Sequence, residues 1–179
     1  FYACAMHPST GSNNFLAGAQ DNGTQRYTVA GVNATTQASG GDGAYCFIDQ
    51  VNPNYQITSY IYNDYDLSTN GGTSFATSLV SDPNTGRFIN PAGYDNNLHI
   101  LYSCRDASSI ARIKNINTTP SSQQSVSIPS LGDYASHIRV SPYTTTSSTL
   151  FIGTESGKLF KVTNADNTAS ATDITGASF

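Results

Sequence analysis

The chain has 179 residues, a net charge of −4 and only 11% charged side chains, against about 25% in ordinary globular proteins. Its 8 Lys plus Arg are scattered, so it lacks the clustered cations that track phosphates, which excludes nucleic acid and an anionic membrane surface as partners. No apolar run approaches the roughly 18 residues of a bilayer span, and 11 Tyr with 8 Phe argue against disorder, since disordered chains are poor in aromatics.

Ser, Thr, Asn and Gly replace the missing charges, a composition typical of secreted or surface-exposed, turn-rich all-β chains. Three cysteines, Cys4, Cys46 and Cys104, leave at least one unpaired, and their spacing fits no zinc site. They read as small buried hydrophobes, with a Cys4–Cys46 disulfide as the alternative, because those two fall at matching repeat positions. The chain opens on FYACAMHPSTG with no secretory leader and closes on TDITGASF. Both ends read as cuts through something longer, with the closing residues leading into a further repeat.

In chain order, the first copy has an alternating run ending at His7-Pro8, the run Phe15 to Gly18, a turn at Gln20 to Gly23 and a run from Gln25 to Val29. The second has Cys46 to Gln50, Tyr55 to Tyr62 and Asp64 to Ser68. The third has Phe88 to Pro91, Leu98 to Tyr102 and Ser109 to Ile113, followed by a polar stretch around Asn115 to Gly132 that holds its outer strand. The fourth has Ile138 to Pro142, Leu150 to Gly153 and Lys158 to Val162. Anchored on Pro8, Gln50, Pro91 and Pro142, the copies repeat at 42, 41 and 51 residues, and an apolar residue (Met6, Ile48, Ile89, Val140) precedes each anchor by two. Several short strands per unit of about 40 to 50 residues predict β-propeller blades. The fold expected is therefore all-β, about four consecutive blades at residues 1–38, 39–82, 83–132 and 133–179, within a larger propeller. Four blades leave a sheet face uncovered at each cut, so the expected partners are the remaining blades of the same parent protein or other chains of a surface assembly.

The stretch Ser68 to Phe75, STNGGTSF, resembles the Asp-box (BNR) turn of secreted propellers: Ser68, Gly72 and Phe75 match, Asn70 replaces the Asp and Ser74 the Thr. LAGAQDNGT (16–24) and LFIGTESG (150–157) resemble the second strand and following turn of sortilin/Vps10-like and Asp-box propellers. With GGDGAYCFIDQVNPN the chain is most similar to the large propeller proteins that Bacteroidota export by type IX secretion. That resemblance implies an extracellular, secreted or cell-surface location.

Loops entering the innermost strand of a propeller blade share a face with those joining strands two and three. This places Asp42 of GGDG together with Asp21, Asp64, Asp106 and Glu155 as ligand-binding candidates on one rim, for a carbohydrate or cation site or half of a glycosidase acid pair, with a glycan or peptide as the candidate ligand. Asp is equally the preferred turn residue beside Gly, and that plain reading stands beside the functional one. Arg26, Arg87, Arg105, Arg112 and Arg139 fall at unmatched positions, which argues against a sialidase-type carboxylate site. Among Tyr55, Tyr60, Tyr62 and Tyr65, either a sugar-stacking platform forms, or Tyr60 and Tyr62 pack between blades while Tyr65 is partly exposed. His7, His99 and His137 have no ligand spacing. Three Asn-X-Thr sequons start at Asn22, Asn33 and Asn117, and chance matches are expected in a chain this rich in Asn and Thr. No cofactor, metal or catalytic residue is expected. The function expected is adhesion, scaffolding or glycan contact by a non-catalytic extracellular propeller. The alternative is part of a xyloglucanase-like secreted glycoside hydrolase.

Overall fold

Short apolar runs broken by Gly, Asn and Asp make strands and tight turns. The computed structural model, which describes residues 1–117 and 121–177, accordingly contains four four-stranded antiparallel sheets. Sheet 1 is β1 Ala3–Met6, β2 Phe15–Ala19, β3 Gly23–Tyr27 and β4 Thr36–Ser39. Sheet 2 is β5 Cys46–Ile48, β6 Gln56–Ser59, β7 Asn63–Ser68 and β8 Thr77–Asp82. Sheet 3 is β9 Ala92–Asp95, β10 Ile100–Asp106, β11 Ser109–Lys114 and β12 Ser122–Ser127. Sheet 4 is β13 Ala135–Val140, β14 Leu150–Thr154, β15 Leu159–Thr163 and β16 Ser170–Asp173. Each sheet pairs its strands in chain order. The described residues hold no α-helix, only a 3-10 turn at Pro129–Leu131. The sequon at 117–119 and the last two residues fall wholly or partly outside the described residues. Ala171–Asp173, expected to lead into another repeat, belong to β16 and complete sheet 4.

The sheets group into two units, Phe1–Pro83 with sheets 1 and 2, and Asn84–Phe179 with sheets 3 and 4. In the second unit the apolar faces close on a core that includes Ile110, Val126, Leu131, Ile138, Ile152 and Phe160, all nearly or fully buried. In the first, one apolar cluster is Leu16, Cys46 and Ile48, with Ala5, Ala38 and Phe75 against it, and Ile57, Tyr65, Leu67 and Leu79 are buried besides. There the sheets also meet through backbone. A Cβ at Gly18 would stand 2.0 Å from the Ala44 carbonyl oxygen, and one at Gly43 would stand 2.2 Å from that of Gly23. Only glycine permits that approach.

Each first strand ends in the same local device. His7 Nδ1 accepts from Ser9 N, Asp49 Oδ1 from Val51 N, Asp95 Oδ1 from Asn97 N and Ser141 Oγ from Tyr143 N. These side chains cap the turn that follows, as short polar residues do. The device corrects the third anchor. Phe88 to Pro91 is not a strand: Asn90 Oδ1 accepts from Arg87 N, its Nδ2 donates to the Cys104 carbonyl, and Cys104 N donates to the Pro91 carbonyl. The segment is a loop pinned to β10, and the repeat position lies at Tyr94-Asp95.

Cross-strand rows then align as Ala5–Leu16–Arg26, Phe47–Ile57–Leu67, Gly93–Tyr102–Arg112 and Arg139–Phe151–Lys161. Arg26 and Arg112 are therefore equivalent, contrary to the expectation of unmatched arginines. Both reach from the third strand of one sheet to the outer turn of the next. Arg26 Nη2 donates to the Gly71 carbonyl at 3.1 Å, and Arg112 Nη1 donates to the carbonyls of Ala165 and Asn167 at 2.7 Å each. Lys114 Nζ adds a bond to the Asp166 carbonyl at 2.6 Å.

Candidate functional site

In the first unit the GGDG loop, which feeds β5, is latched onto the β2–β3 turn. Gly23 N donates to the Gly41 carbonyl at 2.7 Å, Gly43 N to the Ala19 carbonyl at 3.0 Å and Asp21 N to Asp42 Oδ1 at 2.8 Å. Asp21 and Asp42 are thus brought together, with Asp42 holding the turn and Asp21 in left-handed backbone at φ 63°, a conformation Asp tolerates better than most residues.

Beside this latch lies an open cleft of roughly 310 Å³ lined by Ser39, Gly40, Gly41, Ser59, Tyr60, Asp64 and Asp66. Alternation along β7 puts Asp64 and Asp66 on one face of the strand. Asp64 Oδ2 accepts from Ser81 Oγ at 3.1 Å. Burial, then the neighbouring Asp64 charge, pushes the Asp66 carboxyl above its ordinary range. The Tyr60 ring rests on the bare backbone of Gly41 and is 42% exposed. Ser39 has a buried hydroxyl with no hydrogen-bond partner; so does Ser59, but it pairs with Tyr65, which sets its side chain on the opposite sheet face from Asp64 and Asp66.

The tyrosines reverse one expectation. Tyr65 is fully buried, whereas Tyr60 is exposed. The run from Tyr55 to Tyr62 is not one strand: β6 stops at Ser59, and Tyr62 turns the chain at φ 55°. The alternation restarts at Asn63, so the two tyrosines exchange faces.

In the second unit the candidates are engaged locally. Burial disfavours ionisation of Asp106, but hydrogen bonds from Ser109 and Ser108, with the Arg105 charge, outweigh it and hold the carboxyl below its ordinary range. Glu155 forms an ion pair with Arg87. All three cysteines carry free thiols. Burial pushes Cys46 up to about 12 and Cys104 up to about 11, so neither is a ready nucleophile. The described residues hold no group of three or more His, Cys, Asp or Glu that would bind a metal ion.

Sequence reasoning missed Asp66, Ser39 and Ser59. Asp66 was legible as the i+2 partner of Asp64 on a strand. The serines carry no signal in a Ser-rich chain.

The repeated meanders define an all-β, β-propeller-like protein. The crystal structure of an ancestral GH74 enzyme is similar to it, with a TM-score of 0.64 at 17% identity, covering 94% of this chain and 26% of that one. The chain thus spans about a quarter of the length of that enzyme. The sequence matches no protein-family model and no curated protein.

Proposed function

We propose that this chain is a non-catalytic segment of a larger extracellular β-propeller that contacts glycan at a surface. The cleft of the first unit carries this reading: a half-exposed aromatic ring beside two carboxylates, with the Ser39 hydroxyl lacking a partner. Sugar sites combine such an apolar face with a few convergent polar groups. The larger-propeller part draws support from Lys161. It occupies the row position of Arg26 and Arg112, is exposed, and its side chain makes no hydrogen bond among the described residues; a following sheet would offer it a turn to hold. The Asp-box resemblance draws support from the turn after β7, where Ser68 Oγ accepts from Gly72 N at 2.9 Å and Asn70 Oδ1 from Ser74 N at 3.0 Å. Remaining blades or other chains of a surface assembly are the partners this reading requires.

A second reading, part of a glycoside hydrolase, is favoured by one observation: Asp64 and Asp66 share a cleft and the Asp66 carboxyl is raised, as in an acid–base pair whose partners differ in acidity. Oligosaccharide binding and product release by the full-length protein, with Asp64→Asn and Asp66→Asn made separately, decide between the two. Binding without hydrolysis is expected. Product release that either variant abolishes would make the segment catalytic, and no glycan binding at all would defeat both readings.

A further inference from the structure

We propose that the open face of sheet 4, the row Arg139–Phe151–Lys161, is the seat of a further sheet of the same polypeptide, which offers turn carbonyls to Lys161 and a carboxylate to Arg139; this rests on the larger-propeller reading above.

The joints inside the two units supply the pattern. In each, one row of the leading sheet meets the next sheet, with a small residue on the first strand, a large apolar one on the second and a cation on the third. In sheet 1 the row is Ala5–Leu16–Arg26. Ala5 and Leu16 pack with Cys46 and Ile48, and Arg26 holds the Gly71 carbonyl. In sheet 3 it is Gly93–Tyr102–Arg112. A Cβ at Gly93 would stand 2.9 Å from the Ile138 carbonyl oxygen, Tyr102 lies in the shared core, and Arg112 holds the Ala165 and Asn167 carbonyls.

Sheet 4 repeats the second and third positions of that row, but there they are uncovered. Leu16 and Tyr102 are 0% exposed, whereas Phe151 is only half-buried and Lys161 is exposed. Leu159, on the same strand face as Lys161, is also half-buried. A lysine already does this work in the protein: Lys114 Nζ donates to the Asp166 carbonyl at 2.6 Å.

The first position differs, and it specifies the partner. Arg139 replaces Ala5 and Gly93, is exposed, and its side chain forms no ion pair or hydrogen bond among the described residues. A guanidinium covered by an incoming sheet requires a paired acceptor, because an unpaired buried charge is strongly unfavourable. A second copy of this chain would bring the open face of sheet 1, where Met6 is 72% exposed. The rows of that face, Met6–Phe15–Tyr27 and Cys4–Ala17–Gln25, hold no carboxylate for Arg139. A further sheet of the same polypeptide is therefore the better occupant.

The test is covalent footprinting of the full-length protein. Amine-selective acetylation should modify Lys161 at least about tenfold more slowly than Lys158, an exposed lysine just before β15. Phe151→p-benzoylphenylalanine, irradiated in a mixture of isotopically light and heavy protein, should cross-link within one polypeptide to residues outside 1–179. Arg139→Glu should speed Lys161 acetylation about tenfold with the circular dichroism unchanged, and Arg139→Lys should not. Lys161 acetylated as fast as Lys158 in a full-length protein that has further sheets would overturn the docking assignment and leave the larger-propeller reading standing. Cross-links between light and heavy copies would also overturn it, and an Arg139→Glu protein with Lys161 still protected would remove the carboxylate. A full-length protein with no further sheet would remove both the assignment and the reading it rests on.

Discussion

The two units share a strand pattern and differ in how their sheets are joined. The second closes on an apolar core and is stitched by charged side chains: Arg112 and Lys114 hold the 164–168 turn, and Ser148 Oγ donates to the buried Asp95 carboxylate at 2.6 Å. The first joins sheets 1 and 2 through a seam of glycine backbone beside the Leu16–Cys46–Ile48 cluster and a single Arg26 bond to the outer turn. Both units leave buried polar atoms without partners: Thr24 Oγ1, Arg26 Nε, Ser39 Oγ, Gln56 Oε1 and Ser59 Oγ are among them in the first, and Gln123 Nε2 and Thr144 Oγ1 in the second. One repeat thus supports two ways of joining its sheets.

The sharpest way to break this contrast is to attack each unit by its own means. Phe160→Ala should destabilise the second unit by about 4 kcal/mol, since a fully buried aromatic is lost from a packed core; chemical denaturation measures it. Gly43→Ala should cost the first unit about 3 kcal/mol, because the added methyl meets the Gly23 and Thr24 backbone rather than a side chain that can move. A nearly neutral Gly43→Ala would mean that the seam is not what joins sheets 1 and 2.

The arginine pair gives a smaller, graded effect. Arg112→Met should cost about 2 kcal/mol and Arg26→Met about 1 kcal/mol, because Arg112 bonds two turn carbonyls and Gln124 while Arg26 bonds one carbonyl. Equal costs would say that the turns are clamped alike in both units.

Two carboxylates should respond to pH with opposite sign, and these effects are the smallest. The folded Asp106 carboxyl is held below its unfolded value, so its stabilisation is present above the unfolded value and lost as pH falls through the folded one. Asp106→Asn should therefore lower Tm slightly near neutral pH and not at all in strong acid. The folded Asp66 carboxyl is raised, so its ionised form opposes folding at neutral pH and the opposition fades as pH falls through the folded value. Asp66→Asn should raise Tm slightly at neutral pH, with the gain disappearing in acid. Thermal melts of both variants across pH check the pair.

Much of the fold was legible because strand runs and turn residues repeat in register. Met6, Ile48 and Val140, each followed by a capping residue, mark three of the four copies from the sequence alone. The third was misread because Phe88-Ile89-Asn90-Pro91 has strand composition, while side-chain bonds from Asn90 make it a loop; composition does not reveal where an amide side chain bonds. That single shift hid the equivalence of Arg26 and Arg112. At the site, loop logic names Asp42, Asp21 and Asp64 for one rim, and the structure bonds Asp21 N to Asp42 Oδ1 while Asp64 lies on the cleft. The exposed Tyr60 and buried Tyr65 were exchanged because a positive φ at Tyr62 resets strand parity, and parity is all that a periodic reading has.

The division of labour between the units is tested most directly by hydrogen–deuterium exchange of the full-length protein with and without a saturating neutral glucan oligosaccharide. The account predicts added protection at residues 39–41 and 59–66, with the 106–109 and 153–157 turns of the second unit unchanged. Protection centred on those second-unit turns, or none in the first unit under saturation, would contradict it.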